Sequence, residues 1–472
     1  LLAVLLAVPG AMAQGLPELG DATTQVLPPA LERRLGEQVM LEIRQREPSY
    51  VDDPELNAYI QQLGSRLVAA SREGRQDFEF FFISDPSINA FAMPGGFVGV
   101  HTGLVLAAQT ESEVASVLGH EVAHVTQRHI ARLFGKQSQI SLPSMAALVL
   151  AMLVARSNPG ASGAAVAALT AGNIQAQINY TRDFEREADR VGFALLEGAG
   201  FDVSAMPSFF ERLQKAGRVG DSSAPAYLRT HPLNFERIAD MQNRIKDSSY
   251  RQAPDSLDFQ LVKGRLRAEL GRPQDAVAQA QAALKERRFS SEAGARFGYA
   301  WALRRANDNR RAEAELLKVR SSVAFNPMVE LLYARLRQAN GSLAEAQEIL
   351  RVAAARVPAY RPLQYAVIAA QQDAGDHAGA VAALSDLAKT YPRDPRLQTM
   401  LAKSFTATGN RLQFHRAMAE ANYLQGALLA AIEQLQLAQR SGEGDFYQQS
   451  AVDARLREIR SQLAEDTKQQ RR

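Results

Sequence analysis

The 472-residue chain contains no cysteine, so no disulfide can brace it and no thiolate can bind a metal. An export compartment remains open to it, but cysteine-ligated structural zinc is excluded. Net charge is also scarce: 54 Lys and Arg against 51 Asp and Glu leave +3, and the basic residues are scattered apart from a KQQRR tail. With no basic stripe, a nucleic-acid partner is not expected. Long apolar runs are missing as well. The stretch MAALVLAMLVA at 145–155 is 11 residues long and is followed by Asn158-Pro159-Gly160, whereas a membrane helix needs about 20. An integral-membrane enzyme therefore fails on segment length. Histidine is rare too, at 7 in the whole chain.

What is present is ordinary core material. Hydrophobic residues make up 46% and charged residues 22%, the balance of a soluble globular chain, and the length calls for two or three units. Residues 1–13 end in Ala11-Met12-Ala13, the small-x-small pattern of a signal-peptide cleavage site. They are expected to be a signal peptide without its basic n-region, cleaved after Ala13, which predicts export.

Residues 14–250 read as one mainly helical unit with a small sheet. A Gly/Pro-rich leader precedes the polar helical pattern ALERRLGEQVMLEIRQ. Leu56, Ile60, Leu63 and Leu67 then mark an amphipathic helix over 54–70. FEFFFI at 78–83 is a strand, and NAFAMPGGFVGVHTGL predicts two more around a Pro94-Gly95-Gly96 turn. Thr110 and Glu113 form a capping box that opens a helix, expected to run to Phe134, with Val114, Val117, Leu118 and Val125 facing the core. The Ala-rich segment 138–178 is expected to form a hairpin or flap bordering the site, with membrane-surface contact or a span as the alternative. A further helix covers FEREADRVGFALLEGAG.

Beyond about residue 250 the sheet signals vanish. Ala276, Ala312, Ala346 and Ala380 recur at steps of 36, 34 and 34 residues, and Gly375 and Gly409 are 34 apart. That period fits tetratricopeptide repeats, helix pairs joined at a glycine-led turn, and predicts a solenoid of about five pairs over 257–440. Residues 441–472 are expected to form a C-terminal helix and basic tail.

The chemistry resides in LGHEVAHV at 118–125. Positions i and i+4 share a helix face, so His120 and His124 can chelate one ion, and Glu121 between them can serve as general base. Composition alone predicts on the order of 0.01 such HExxH occurrences. The third ligand should come from the acidic helix downstream, where Asp183, Glu185, Glu187 and Asp189 compete. Glu185 and Asp189, four apart with Gly192 beneath them, are the favoured pair: Glu185 on the metal, Asp189 orienting a histidine. Asp183 and Glu187 are expected to be solvated, and His101, His129, His377 and His415 to be structural.

HExxH at 120–124, ExxxD at 185–189, NAFAMPGG at 89–96 and THP at 230–232, all upstream of the repeats, resemble the BepA-like periplasmic metallopeptidases, relatives of HtpX and the CAAX prenyl protease. The resemblance implies a gluzincin-type site with one Zn2+ per chain and a role in the assembly and quality control of outer-membrane proteins. The implied partners are misassembled clients and the assembly machinery, met by the repeat groove. It places Asn89 and Ala90 on an edge strand that pairs with substrate. His231 would face the metal, either stabilising the oxyanion or filling the fourth zinc position. The alternative reading is a chaperone or scaffold whose zinc site is largely latent. Known relatives can tie the C-terminus down with a cysteine pair, which this chain lacks, leaving the packing of 441–472 open.

Overall fold

A computed structural model describes residues 27–71, 77–134, 182–217, 225–248 and 251–470. The expected signal peptide, the Ala-rich segment 138–178 and the last two residues of the basic tail lie outside the described residues.

Helices α1 (Pro29–Arg46) and α2 (Pro54–Ala69) lead into a three-stranded sheet. Asp53 starts α2 by accepting the amides of Glu55 and Leu56, both at 3.0 Å, with Pro54 where a missing N–H costs nothing. Strands β1 (Glu79–Ile83), β2 (Ala90–Met93) and β3 (Phe97–His101) lie in the order β1-β3-β2, so β2 is an edge. β1 pairs parallel with β3 (Phe80 opposite Val98), and β2 pairs antiparallel with it (Ala92 opposite Val98). The Pro94-Gly95-Gly96 turn joins β2 and β3 as the sequence predicts.

A short helix α3 (Thr102–Ala107) precedes α4 (Glu111–Thr126). Thr110 caps α4 by accepting the Glu113 amide at 3.3 Å, but Glu113 reaches back to the amide of Gln109 rather than to that of the cap. Every residue from Glu111 to Val125 is buried, so the valine stripe is only part of its contact surface. The helix does not run on to Phe134. It stops at Thr126, Arg128 turns left-handed at φ 53°, and α5 (His129–Phe134) starts afresh. Helices α6 (Arg182–Gly198), α7 (Ala205–Gly217), α8 (Ala226–Thr230) and α9 (Phe235–Asp247) complete this part.

The solenoid follows as helix pairs: α10 (Leu257–Glu269) with α11 (Pro273–Lys285), α12 (Glu292–Arg305) with α13 (Asn309–Ser322), α14 (Pro327–Ala339) with α15 (Leu343–Arg356), α16 (Arg361–Asp373) with α17 (His377–Thr390), and α18 (Pro395–Ala407) with α19 (Arg411–Leu424). The turn inside each pair has one residue in the left-handed region: Gly271, Asn307, Gly341, Gly375 and Gly409. Only glycine, and asparagine at some cost, adopts that conformation readily, which is why the repeat is legible there. The recurring alanines are buried where helices cross. A sixth pair, α20 (Leu428–Arg440) and α21 (Phe446–Gln470), closes the array. Val452, Leu456 and Ile459 of α21, spaced four and three apart, pack on Ala431, Leu435 and Ala438. An apolar stripe thus secures the C-terminal helix.

The two parts share one core. Leu56, Ile60 and Leu63 of α2 belong to the same buried cluster as Val262, Phe297, Trp301 and Leu332 of the solenoid. Buried Glu55 pairs with Arg335 at 2.5 Å, and Arg265 bonds Asp53 while lying 4.0 Å from the Trp301 ring centre. Further along, Arg396 meets Asp52 at 2.8 Å, and Gln45 donates to the Gln425 carbonyl at 3.0 Å. One face of the solenoid is therefore occupied by α1, α2 and the segment between them. Among the described residues no helix is long and apolar enough to cross a membrane.

Lys263 in α10 is 7% exposed and donates to the Ala108 carbonyl across this junction. Burial, with Arg267 nearby, pulls its ammonium down to about 8. The unfolded chain keeps the ordinary value of about 10.4 and binds more protons between those limits, so stability should rise with pH there. Lys263→Met is expected to abolish that rise between about pH 8 and 10.5, measured as the pH dependence of the urea midpoint.

Candidate metal centre

Helix α4 presents His120, Glu121 and His124, α6 presents Glu185 and Asp189, and His231 stands just past α8. All six side chains are buried. The two helices cross closely because Gly119 and Gly192 meet: a Cβ on Gly192 would sit 2.9 Å from the His120 amide nitrogen. Glycine is required there by space alone.

One donor atom each from His120, His124, Glu185 and His231 forms a group whose members all lie within 4.8 Å of one another. His120 Nε2 is 3.0 Å from His124 Nε2, 3.3 Å from His231 Nδ1 and 3.4 Å from Glu185 Oε2. Glu185 Oε1 is 3.0 Å from His231 Nδ1 and 3.5 Å from His124 Nε2. A tetrahedron built on metal–ligand bonds of about 2.0–2.1 Å has edges of about 3.3 Å, so the spacing fits such an ion. Four donors turned toward one another in a buried site surround a point that a divalent ion can occupy.

The surroundings set the charges. Burial disfavours a proton on His120, but Asp189 and Glu185 outweigh it and raise that ring to about 9. His124 is driven well below the ordinary histidine range by burial and by His120 beside it. Burial would raise Glu185, yet His231 and His120 hold its carboxyl well below the usual range. Glu185 as a carboxylate and His124 as a neutral imidazole are already in the forms a divalent cation binds, and His120 would give up its proton on binding one.

Asp189 Oδ1 lies 3.1 Å from His120 Nδ1. Arg237, which the sequence reading missed, grips Asp189 through two bonds of 2.6 and 2.8 Å, lies 2.9 Å from Glu185 Oε2 and donates to the Pro232 carbonyl at 2.7 Å. One guanidinium thus ties α6 to the segment carrying His231. Nothing local marks it, since an arginine in the first turn of a helix is commonplace. Tyr227 is also new: its ring stacks on His231 with centroids 4.7 Å apart.

Asp183 is exposed as expected, but Glu187 is not simply solvated: it accepts from Arg132 at 2.7 Å and lies 3.1 Å from His129 Nε2. His129 is fully buried, with Nδ1 2.8 Å from His124 Nδ1. The break at Arg128 puts it there, and the five-residue spacing after His124 was the available hint. Glu121 Oε1 is buried without a hydrogen-bond partner among the described residues and lies 3.4 Å from His231 Nε2. Ala90 opens the edge strand and Asn89 precedes it, with its side-chain oxygen also buried and unpartnered. Beside them the Tyr227 amide donates to the Ile88 carbonyl at 3.1 Å, so the turn carrying His231 leans on the approach to that strand.

The sequence pattern of peptidase family M48 matches residues 54–245. Over nearly its full length, the chain is 32% identical to the beta-barrel assembly-enhancing protease of Escherichia coli (strain K12), across 453 residues covering 95% of this chain and 92% of that one. The chain belongs to peptidase family M48. Two other relatives match over shorter stretches. The putative beta-barrel assembly-enhancing protease of Vibrio cholerae is 45% identical over 251 residues, 53% of this M48 chain and 51% of the relative. The mitochondrial metalloendopeptidase OMA1 of Arabidopsis thaliana is 30% identical over 203 residues, 43% of this chain and 39% of that one. The matched region of this M48 peptidase contains all four clustered donors and Glu121.

Proposed function

We propose that this M48 peptidase is a periplasmic zinc endopeptidase acting in the assembly and quality control of outer-membrane proteins, with the helix pairs recruiting clients and assembly machinery. The observation that carries the catalytic part is the spacing of the four donors, together with the buried carboxylate of Glu121 beside them. His120, His124 and Glu185 would hold the ion, and their nitrogen and oxygen donors suit zinc. When bound, the ion supplies Lewis acidity to a peptide carbonyl and lowers the pKa of an attacking water. Glu121 accepts that water's proton and passes it to the leaving amine. Asp189 and Arg237 hold His120 and Glu185 in place meanwhile. An extended client would pair with the edge near Asn89 and Ala90, where main-chain bonding tolerates varied side chains. The direct test is metal analysis of the purified chain together with casein digestion: one equivalent of zinc and chelator-sensitive cleavage support the reading, and cleavage indifferent to chelator sinks it.

A resting state is the second reading, favoured by the position of His231. Its Nδ1 lies 3.0 Å from Glu185 and 3.3 Å from His120, where it supplies a fourth protein donor and leaves no position for water. Freeing the Ile88 carbonyl would require the turn around Tyr227 to move, and His231 would move with it. On this reading His231→Ala is expected to speed casein cleavage several-fold. Slower cleavage would instead assign His231 to oxyanion stabilisation.

A further inference from the structure

We propose that His129 is a positioning residue for His124, fixing the tautomer and angle of that ring and tying it to the helix that carries Glu185. The inference rests on the metal-site reading above. The left-handed turn at Arg128 brings His129 back over the helix it has just left, so that the His124 and His129 rings stand 4.9 Å apart at 75°. His129 then spans two neighbours: Nδ1 is 2.8 Å from His124 Nδ1, and Nε2 is 3.1 Å from Glu187 Oε2.

With both rings neutral, the hydrogen bookkeeping allows one arrangement. An ionised Glu187, held by Arg132 at 2.7 Å, only accepts. His129 Nε2 must therefore carry a hydrogen, which leaves Nδ1 of the neutral ring as an acceptor. His124 Nδ1 must then donate, and its Nε2 keeps a bare lone pair facing His120 and Glu185. The string His124, His129, Glu187, Arg132 thus dictates which nitrogen of His124 is free to bind. His120 is served differently, by the carboxylate of Asp189. The two imidazoles of one motif thus stand beside partners of different charge, and both lead to α6, one at Asp189 and the other at Glu187, which lies midway between Glu185 and Asp189.

The competing account is that His129 merely fills space. Its ring does stack on Phe184, with centroids 4.5 Å apart and planes 11° apart. His129→Phe keeps that stacking and removes both hydrogen bonds. His129→Asn restores an acceptor near the Nδ1 position. The measurement is Co2+ affinity of the full chain, by competition with a fluorescent chelator, together with the visible absorption of the bound Co2+, which reports ligand geometry. Loss of an orienting partner typically costs 10–100-fold in metal affinity. His129→Phe is expected to lose affinity in that range and to shift the spectrum while the metal-free chain still unfolds cooperatively in urea, and His129→Asn is expected to recover most of the affinity. Wild-type affinity and spectrum in His129→Phe, or no recovery in His129→Asn, would overturn the proposal. If His129→Phe does not fold, Glu187→Ala decides: weakened Co2+ binding supports the string, and unchanged binding overturns it. Failure of the wild-type chain itself to bind Co2+ would be a different result, removing the metal-site reading beneath.

Discussion

Glu121→Gln is expected to lower casein cleavage by about 10²–10⁴-fold, the usual worth of a general base, while the chain still binds one equivalent of zinc. The separation follows from the geometry. Glu121 is buried beside the donors but does not belong to their group, and its Oε1 has no hydrogen-bond partner among the described residues. The amide side chain has the same shape, so the ligands stay in place, but it cannot take a proton at neutral pH. Side-by-side cleavage assays and metal analysis check the result. A Glu121→Gln chain that cleaves at the wild-type rate would show that another group is the base. The same variant divides the biological readings. If it fully restored function to a strain lacking the gene, the scaffold reading would replace the protease one.

Arg237→Met should cause a large loss of stability. Arg237, Asp189 and Glu185 are all nearly inaccessible to water, at 4, 2 and 2% exposure. The guanidinium offsets two carboxylates at once and also holds the carbonyl of Pro232. Removing one partner of a buried pair leaves uncompensated charge and costs about 3–5 kcal/mol. Methionine fills similar volume, so the loss should reflect charge rather than a cavity. The expected result is a lower urea midpoint in the metal-free chain, with weaker metal binding because Asp189 no longer has a fixed orientation. Arg237→Lys should recover little, since a single ammonium cannot make the two parallel bonds to Asp189. A midpoint within about 1 kcal/mol of wild type would mean that the carboxylates find other partners.

The continuous core changes one experiment that the sequence suggests. With a boundary near residue 250, deleting 257–440 looks like a clean way to separate cleavage from client targeting. Leu56, Ile60 and Leu63 would then lose Val262, Phe297, Trp301 and Leu332, and Glu55 would lose Arg335. Point changes on the solenoid's outer faces are the better probe of recruitment.

Much of the molecule is legible in the sequence. The repeat turns were visible because a left-handed backbone selects glycine or asparagine every 34 or 36 residues. The HExxH pair and the Glu185–Asp189 pair were visible because both use the i, i+4 spacing of a single helix. The sheet was visible from aromatic runs around a Pro-Gly-Gly turn. The end of α4 was not, since the residues from Gln127 to Arg132 carry no proline or glycine and a continuous helix satisfies their pattern equally well. That one misplaced boundary hid both His129 and the engagement of Glu187.

The sequence alone therefore determined the candidate donors, their helical pairing, the candidate general base and the period of the solenoid, because the pairings join residues at most four positions apart and each repeat turn selects its own glycine or asparagine through local backbone geometry. Only the tertiary structure decided that His231, which family resemblance alone had placed near the metal, lies within reach of the other donors, that Arg237 neutralises the pair on α6, and that α1 and α2 occupy one face of the solenoid. His231 lies 111 residues from His120. Such contacts depend on which apolar faces bury against each other and on which charges must then be paired in the dry space left between them, and no local pattern encodes that choice.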